Sequence, residues 1–168
     1  SAAKTAVTDT YRAGGRITYI VSIVNTGDND FTDLTVTDNL GAYTYNNTML
    51  TPLDYVEGSI KYYMDGVLQA APVITSTSPL TITGISVPAN GNTILVYETN
   101  TNEFAPLDNE SFITNTAAIT GANLPAPITA VDTVEPENNA FLTISKSLTP
   151  TTVAENGQIT YTFVIENT

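Results

Sequence analysis

The sequence predicts an all-β fold, two sheets packed face to face. Two observations carry the prediction. No segment sustains a helical period, and short stretches that alternate apolar and polar residues lie between clusters of Gly, Pro, Asn and Asp. A third, the recurrence of one segment far along the chain, predicts that the sandwich is a repeating unit.

Taken in order, the opening strand sets Ala2, Lys4 and Ala6 on one face. After the Gly14-Gly15 turn, residues 16–26 alternate cleanly, and Ile17, Tyr19, Val21 and Ile23 face inward. Gly27-Asp28-Asn29-Asp30 turns the chain into a strand over 31–38, where Leu34 and Val36 set the apolar phase and Asp38 continues it. Residues 39–58 are less regular and are broken at Thr51-Pro52. Residues 60–64, the pair Asp65-Gly66, and Val67 onward predict a hairpin with a tight primed turn. Residues 72–79, rich in Thr and Ser, are expected to be a loop. Strands follow over 80–87 and 93–99, around Pro88-Ala89-Asn90-Gly91, then over 112–120 and, shorter, near 128–134. Strands of this length with turn signals between them predict an immunoglobulin-like β-sandwich.

Three inward phases carry polar groups. In the 112–120 strand Asn115 lies in line with Ile113, Ala117 and Ile119, Asp38 extends the phase of Leu34 and Val36, and Lys4 shares a face with two alanines. Buried amides and charges need partners. The three strands therefore aim a lysine, a carboxylic acid and an asparagine into one core.

Composition removes other chemistries. The chain has 168 residues, enough for one medium domain and a fragment or for two small domains. Its 17 acidic and 5 basic residues give a net charge of −12, which repels nucleic acid and anionic membrane and fits a chain working outside the cell. No apolar run approaches the length of a membrane span. Cys and His are both absent, which excludes thiol catalysis, a serine–histidine triad and disulfide staples. A hydrolase would need a carboxylate pair, and no two acids outside the trio take inward phases, so no turnover enzyme and no cofactor is expected. Without an initiator Met or a signal-like segment, the chain is expected to be part of a longer precursor.

The repeat is gapless. Residues 146–168 overlie residues 4–26 at an offset of 142, and Lys4, Gly15, Ile17, Tyr19 and Asn25 recur as Lys146, Gly157, Ile159, Tyr161 and Asn167. Leu142, Ile144, Lys146 and Leu148 share one face, so the lysine is on an inward phase in both copies. The expected organisation is a complete domain over 1–134, a linker over 135–139, and the first two strands of a second unit over 140–168. Two strands cannot bury a core alone, and the parent protein is read as a tandem array.

On these residues the chain resembles the immunoglobulin-like, isopeptide-forming repeats of Gram-positive surface proteins and pilins, related to the first type of collagen-adhesin domain. Early Lys4, Asn25-Thr26-Gly27, the TVTDNL run with Asp38 and the ITNTAAIT run with Asn115 carry the resemblance, over roughly the first 134 residues. It implies that Lys4 and Asn115 join through their side chains while Asp38 assists. A sister type of domain uses a glutamate, which makes Glu98 the alternative acid. The chemistry is also reasonable from first principles. Burial lowers a lysine's pKa and frees its nucleophilic amine. A carboxylic acid in the same dry interior can keep its proton and polarise an amide carbonyl. The folded core supplies proximity, and the reaction occurs once per molecule.

The expected role is a structural stalk or fimbrial domain on the Gram-positive cell surface, outside the cell, with neighbouring repeats of the same protein as partners. The alternative is an adhesin module that recognises host protein or glycan through its loops. Tyr43, Tyr45 and Tyr55 are the candidates for an aromatic sugar-binding face. Asp28, Asp30 and Asp33, with Asn29, cluster around one turn and are the candidates for calcium, although their spacing matches no complete loop motif. Residues 140–168 share register and phase with the opening strands, which raises a strand-swapped homo-oligomer. Lys146, lacking its own acid and amide, is expected to stay a free amine.

Overall fold

The computed structural model describes residues 1–108, 111–137 and 142–167. Sixteen strands and no helix occur among them. In chain order they are β1 (Ala2–Ala6), β2 (Thr10–Tyr11), β3 (Arg16–Val24), β4 (Phe31–Asp38), β5 (Tyr43–Tyr45), β6 (Thr48–Leu50), β7 (Leu53–Tyr55) and β8 (Lys61–Met64). These are followed by β9 (Val67–Leu68), β10 (Val73–Thr77), β11 (Leu80–Val87), β12 (Asn92–Thr101), β13 (Ile113–Thr120), β14 (Ile128–Pro136), β15 (Leu142–Thr149) and β16 (Thr160–Asn167). The chain divides into two compact units, with the boundary after Glu137.

The first unit is the sandwich. One sheet runs β1-β3-β12-β8-β9, with β7 also on β12, and the other runs β10-β11-β4-β13-β14-β2. Among the described residues all pairings are antiparallel except that of β14 with β2. The period-2 pattern read from the sequence is the burial pattern of β3, β12 and β13, where buried positions alternate with more exposed ones. Each sheet thus turns one apolar face to the other, and Ile17, Val21 and Leu95 meet Val36, Ile82 and Ile119 in one core.

The Asp65-Gly66 turn has φ of 46° and 79°, the left-handed pair that a primed hairpin turn requires. Elsewhere the structure corrects the sequence reading. Residues 72–79 are not a loop, because β10 pairs along β11 with a bulge between Ile74 and Ser76. As an edge strand, β10 has little to bury. Ile74 and Ser76 are half-buried while Val73, Thr75 and Thr77 are exposed, so the inward phase carries a single large apolar side chain and the strand signal is faint.

Residues 39–58 contain the β5–β6 hairpin, whose turn residues Asn46 and Asn47 both have positive φ, and the short β7. Two residues expected in the linker belong to a strand instead. Glu135 and Pro136 are the end of β14 and pair with Thr10 and Tyr11, so the first unit extends past 134; residues 138–141 lie outside the described residues.

In the second unit β15 and β16 form an antiparallel pair. Its register repeats that of β1 with β3: Lys146 stands opposite Phe163 as Lys4 stands opposite Val21. The turn repeats too, since Gly157 N–H donates to Ala154 O as Gly15 N–H donates to Arg12 O, each at 2.9 Å.

Candidate cross-linking site

The site is built from both sheets. From the first, β1 contributes Lys4, β3 contributes Tyr19 and β12 contributes Tyr97. Tyr19 and Tyr97 are direct partners across the β3–β12 ladder, with ring centres 6.0 Å apart. The Lys4 Nζ lies over both rings, 4.6 Å from the centre of Tyr19 and 5.7 Å from that of Tyr97, a cation–π arrangement away from water. From the second sheet, Asp38 ends β4 and Asn115 lies on β13, two residues from Ala117, the direct partner of Asp38.

Asp38 is fully buried, and both of its oxygens are engaged. Oδ2 accepts hydrogen bonds from Lys4 Nζ and from the Tyr97 hydroxyl, and Oδ1 accepts the Leu40 N–H at 2.8 Å. The turn after β4 sets this last bond. Leu40 has φ of 54° and Gly41 φ of 71°, so the chain curls back over the carboxylate. Burial lowers the Lys4 pKa, against the opposing pull of Asp38 and, more weakly, of Asp132. Burial likewise pushes the phenols of Tyr19 and Tyr97 well up, and for Tyr19 the neighbouring Asn115 carboxamide partly offsets this.

Asn115 stands outside this network. It is fully buried, and among the described residues neither its Nδ2 nor its Oδ1 has a hydrogen-bond partner within bonding geometry; the Tyr19 hydroxyl is likewise unpaired. The buried Asn25 behaves in the opposite way. Its Nδ2 donates to Asn29 O and Pro88 O at 2.8 and 2.9 Å, and its Oδ1 accepts the Gly27 N–H at 3.0 Å. An unmet buried amide costs roughly 1–3 kcal/mol for each group left unpaired. Two buried asparagines thus differ: Asn25 stitches loops, whereas Asn115 makes no hydrogen bond of standard geometry and lies beside the equally unpaired Tyr19 hydroxyl.

The remaining candidates fall elsewhere. Glu98 is on the opposite face of β12 from Tyr97 and pairs with Arg16 at 2.8 Å, so it does not reach the core. Asp30 accepts the Ala89 N–H and Asp28 accepts from Asn90 Nδ2, which ties two turns together. No grouping of three acids suited to a metal occurs among the described residues, against the calcium reading of Asp28, Asp30 and Asp33. The aromatic face is not assembled either. Tyr55 packs against the core, whereas Tyr45 is exposed and Tyr43 donates to Phe104 O at 2.7 Å. Lys146 lies 4.4 Å from the ring centre of Tyr161, matching Lys4 over Tyr19, but on an exposed strand. Two residues that sequence reasoning missed act on Lys4: Tyr97, whose ring lies under its Nζ, and Asp132, whose charge favours its ammonium form.

The fold is an immunoglobulin-like sandwich of the kind found in pilin and adhesin domains. The major pilin subunit BcpA of Bacillus cereus is similar, with a TM-score of 0.56 at 16% identity over 99% of this chain and 55% of that one. The N-terminal domain of a Streptococcus gordonii adhesin gives 0.56 at 18% identity, over 79% of this chain and 32% of that one. The major pilin SpaA of Corynebacterium diphtheriae, whose structure points to a modular pilus assembly with stabilising isopeptide bonds, gives 0.53 at 10% identity, over 87% and 39%. The chain thus spans from about a third to just over half of these proteins. No protein-family model and no curated protein sequence matches it.

Proposed function

We propose that this chain is a structural, stalk-like part of a Gram-positive surface or pilus protein, closed by an isopeptide bond between Lys4 and Asn115 that Asp38 promotes. The observation that carries the reading is the orphaned Asn115 carboxamide, buried in the same core as a lysine that contacts a buried acid. The fold shared with pilins supports the structural role.

The reaction balances without a cofactor. Lys4 passes one ammonium proton to the Asp38 carboxylate through their direct contact. The neutral Nζ attacks Cγ of Asn115 while the Asp38 carboxyl group hydrogen-bonds the amide oxygen and stabilises its developing charge. The attacking Nζ gives up one proton, and Nδ2 gains one by way of the Asp38 carboxyl group. The Cγ–Nδ2 bond breaks, Nδ2 leaves as ammonia, and a Cγ–Nζ amide remains. Tyr97 holds the acid in place throughout. Proximity inside the packed core supplies most of the acceleration. The product ties the two sheets covalently, so force entering at β1 reaches β13 without peeling the ladders apart.

Intact mass tests this directly. The purified chain should weigh one ammonia less than its sequence mass, and Lys4→Ala and Asn115→Ala should each restore the full value. A wild-type chain at full mass after folding would sink the reading.

A further inference from the structure

We propose that Asp132 is a positioning residue for the cross-link, clamping the strand that carries the lysine to the strand beside the asparagine. The inference rests on the reaction proposed above and adds a fourth side chain to it. β1 is the edge of its sheet, so backbone N–H groups on its outer side have no strand to bond. The Ala6 N–H donates instead to Oδ2 of Asp132, at 2.7 Å. Asp132 stands directly opposite Asn115 in the β13–β14 ladder, and Ala6 lies two residues from Lys4 on the same inward phase. One hydrogen bond therefore fixes the height of the lysine against that of the asparagine. A two-residue slip of β1 would carry Lys4 about 7 Å away.

The charge of Asp132 acts in the other direction. Lys4 meets Asp38 from β4, Tyr19 from β3 and Tyr97 from β12, and Asp132 on β14 acts on it through its charge. Asp132 favours the ammonium form, which cannot attack. Position and charge can be separated by substitution. Asp132→Asn keeps an oxygen for the Ala6 N–H and drops the charge, whereas Asp132→Ala drops both.

Unreacted chain, recovered in denaturant from inclusion bodies, is refolded by dilution over a pH series, quenched in acid and weighed. Asp132→Ala should lose ammonia roughly tenfold or more slowly than wild type. Asp132→Asn should keep the wild-type plateau rate, with the rise of its pH profile moved to lower pH. Asp132→Ala as fast as wild type, or Asp132→Asn as slow as Asp132→Ala, overturns the proposal. If circular dichroism shows that Asp132→Ala does not refold, Asp132→Asn decides alone, and a plateau rate tenfold or more below wild type overturns the proposal. A wild-type arm that never loses ammonia defeats the cross-link reading itself, which separates that failure from the loss of Asp132's role.

Discussion

Replacing Asn115 by leucine gives opposite signs of stability change according to whether the bond exists. Asn115 lies 111 positions after Lys4, so a cross-link would close nearly the whole first unit. By the loop-entropy argument used for disulfides, a closure of that size contributes about 4–5 kcal/mol through the unfolded chain. Leucine has a similar volume and no polar atoms, so it also removes the unpaired carboxamide, a gain of roughly 1–3 kcal/mol. In a linked protein Nδ2 has already left, so that gain does not apply. The expected loss is the whole closure contribution, about 4–5 kcal/mol, with Tm falling by about 4 °C for each kcal/mol in a unit of this size. In an unlinked protein only the second effect remains, and Asn115→Leu should be stabilising. Thermal and denaturant unfolding of both proteins, each weighed first, provides the assay. A Tm that rises on substitution would refute the cross-link argument.

Two more predictions follow from the same core. In Asn115→Leu the Lys4 amine stays free and buried, with its pKa lowered below 10.5, so the unfolded chain binds more protons than the folded one between the two values. Stability of that variant should therefore rise with pH up to about 10 in denaturant titrations, whereas the linked wild type lacks that slope. Above about 10 the raised pKa values of Tyr19 and Tyr97 reverse the sign in both proteins. Gly41→Ala should cost about 2–4 kcal/mol by the same titrations, because a Cβ there collides with Ile113 Cγ2 and meets Pro52 Cγ at 3.1 Å on a backbone with φ of 71°.

How much of this was legible depends on the period of a strand. Lys4, Asp38 and Asn115 could be read because each sits in a run where one phase is apolar and the other polar. β12 gives no such choice. Leu95 and Tyr97 form one phase, Ile94 and Val96 the other, and Glu98 continues the second. Periodicity therefore could not decide between Tyr97 and Glu98, and only the packing of β12 on β3 and β8 turns Tyr97 inward. Asp132 did leave a signal, since it shares a phase with the buried Ala130 and Val134. What no pattern shows is the bond from its carboxylate to Ala6, 126 positions away.

The second unit brings the same logic to the strand-swapped association. β15 and β16 reproduce the register of β1 and β3, the same turn and the same lysine-over-tyrosine geometry, so the backbone alone would permit exchange. Volume opposes it. Where the first unit buries Ala6 and Val21, the second carries Leu148 and Phe163. Val21 is fully buried, and forcing larger side chains into a filled core typically costs about 1–3 kcal/mol at each site. A swap would also have to displace a hairpin that belongs to the same chain as its receiving core. The larger Leu148 and Phe163 thus count against exchange, while register, turn and lysine-over-tyrosine geometry are what the two hairpins share.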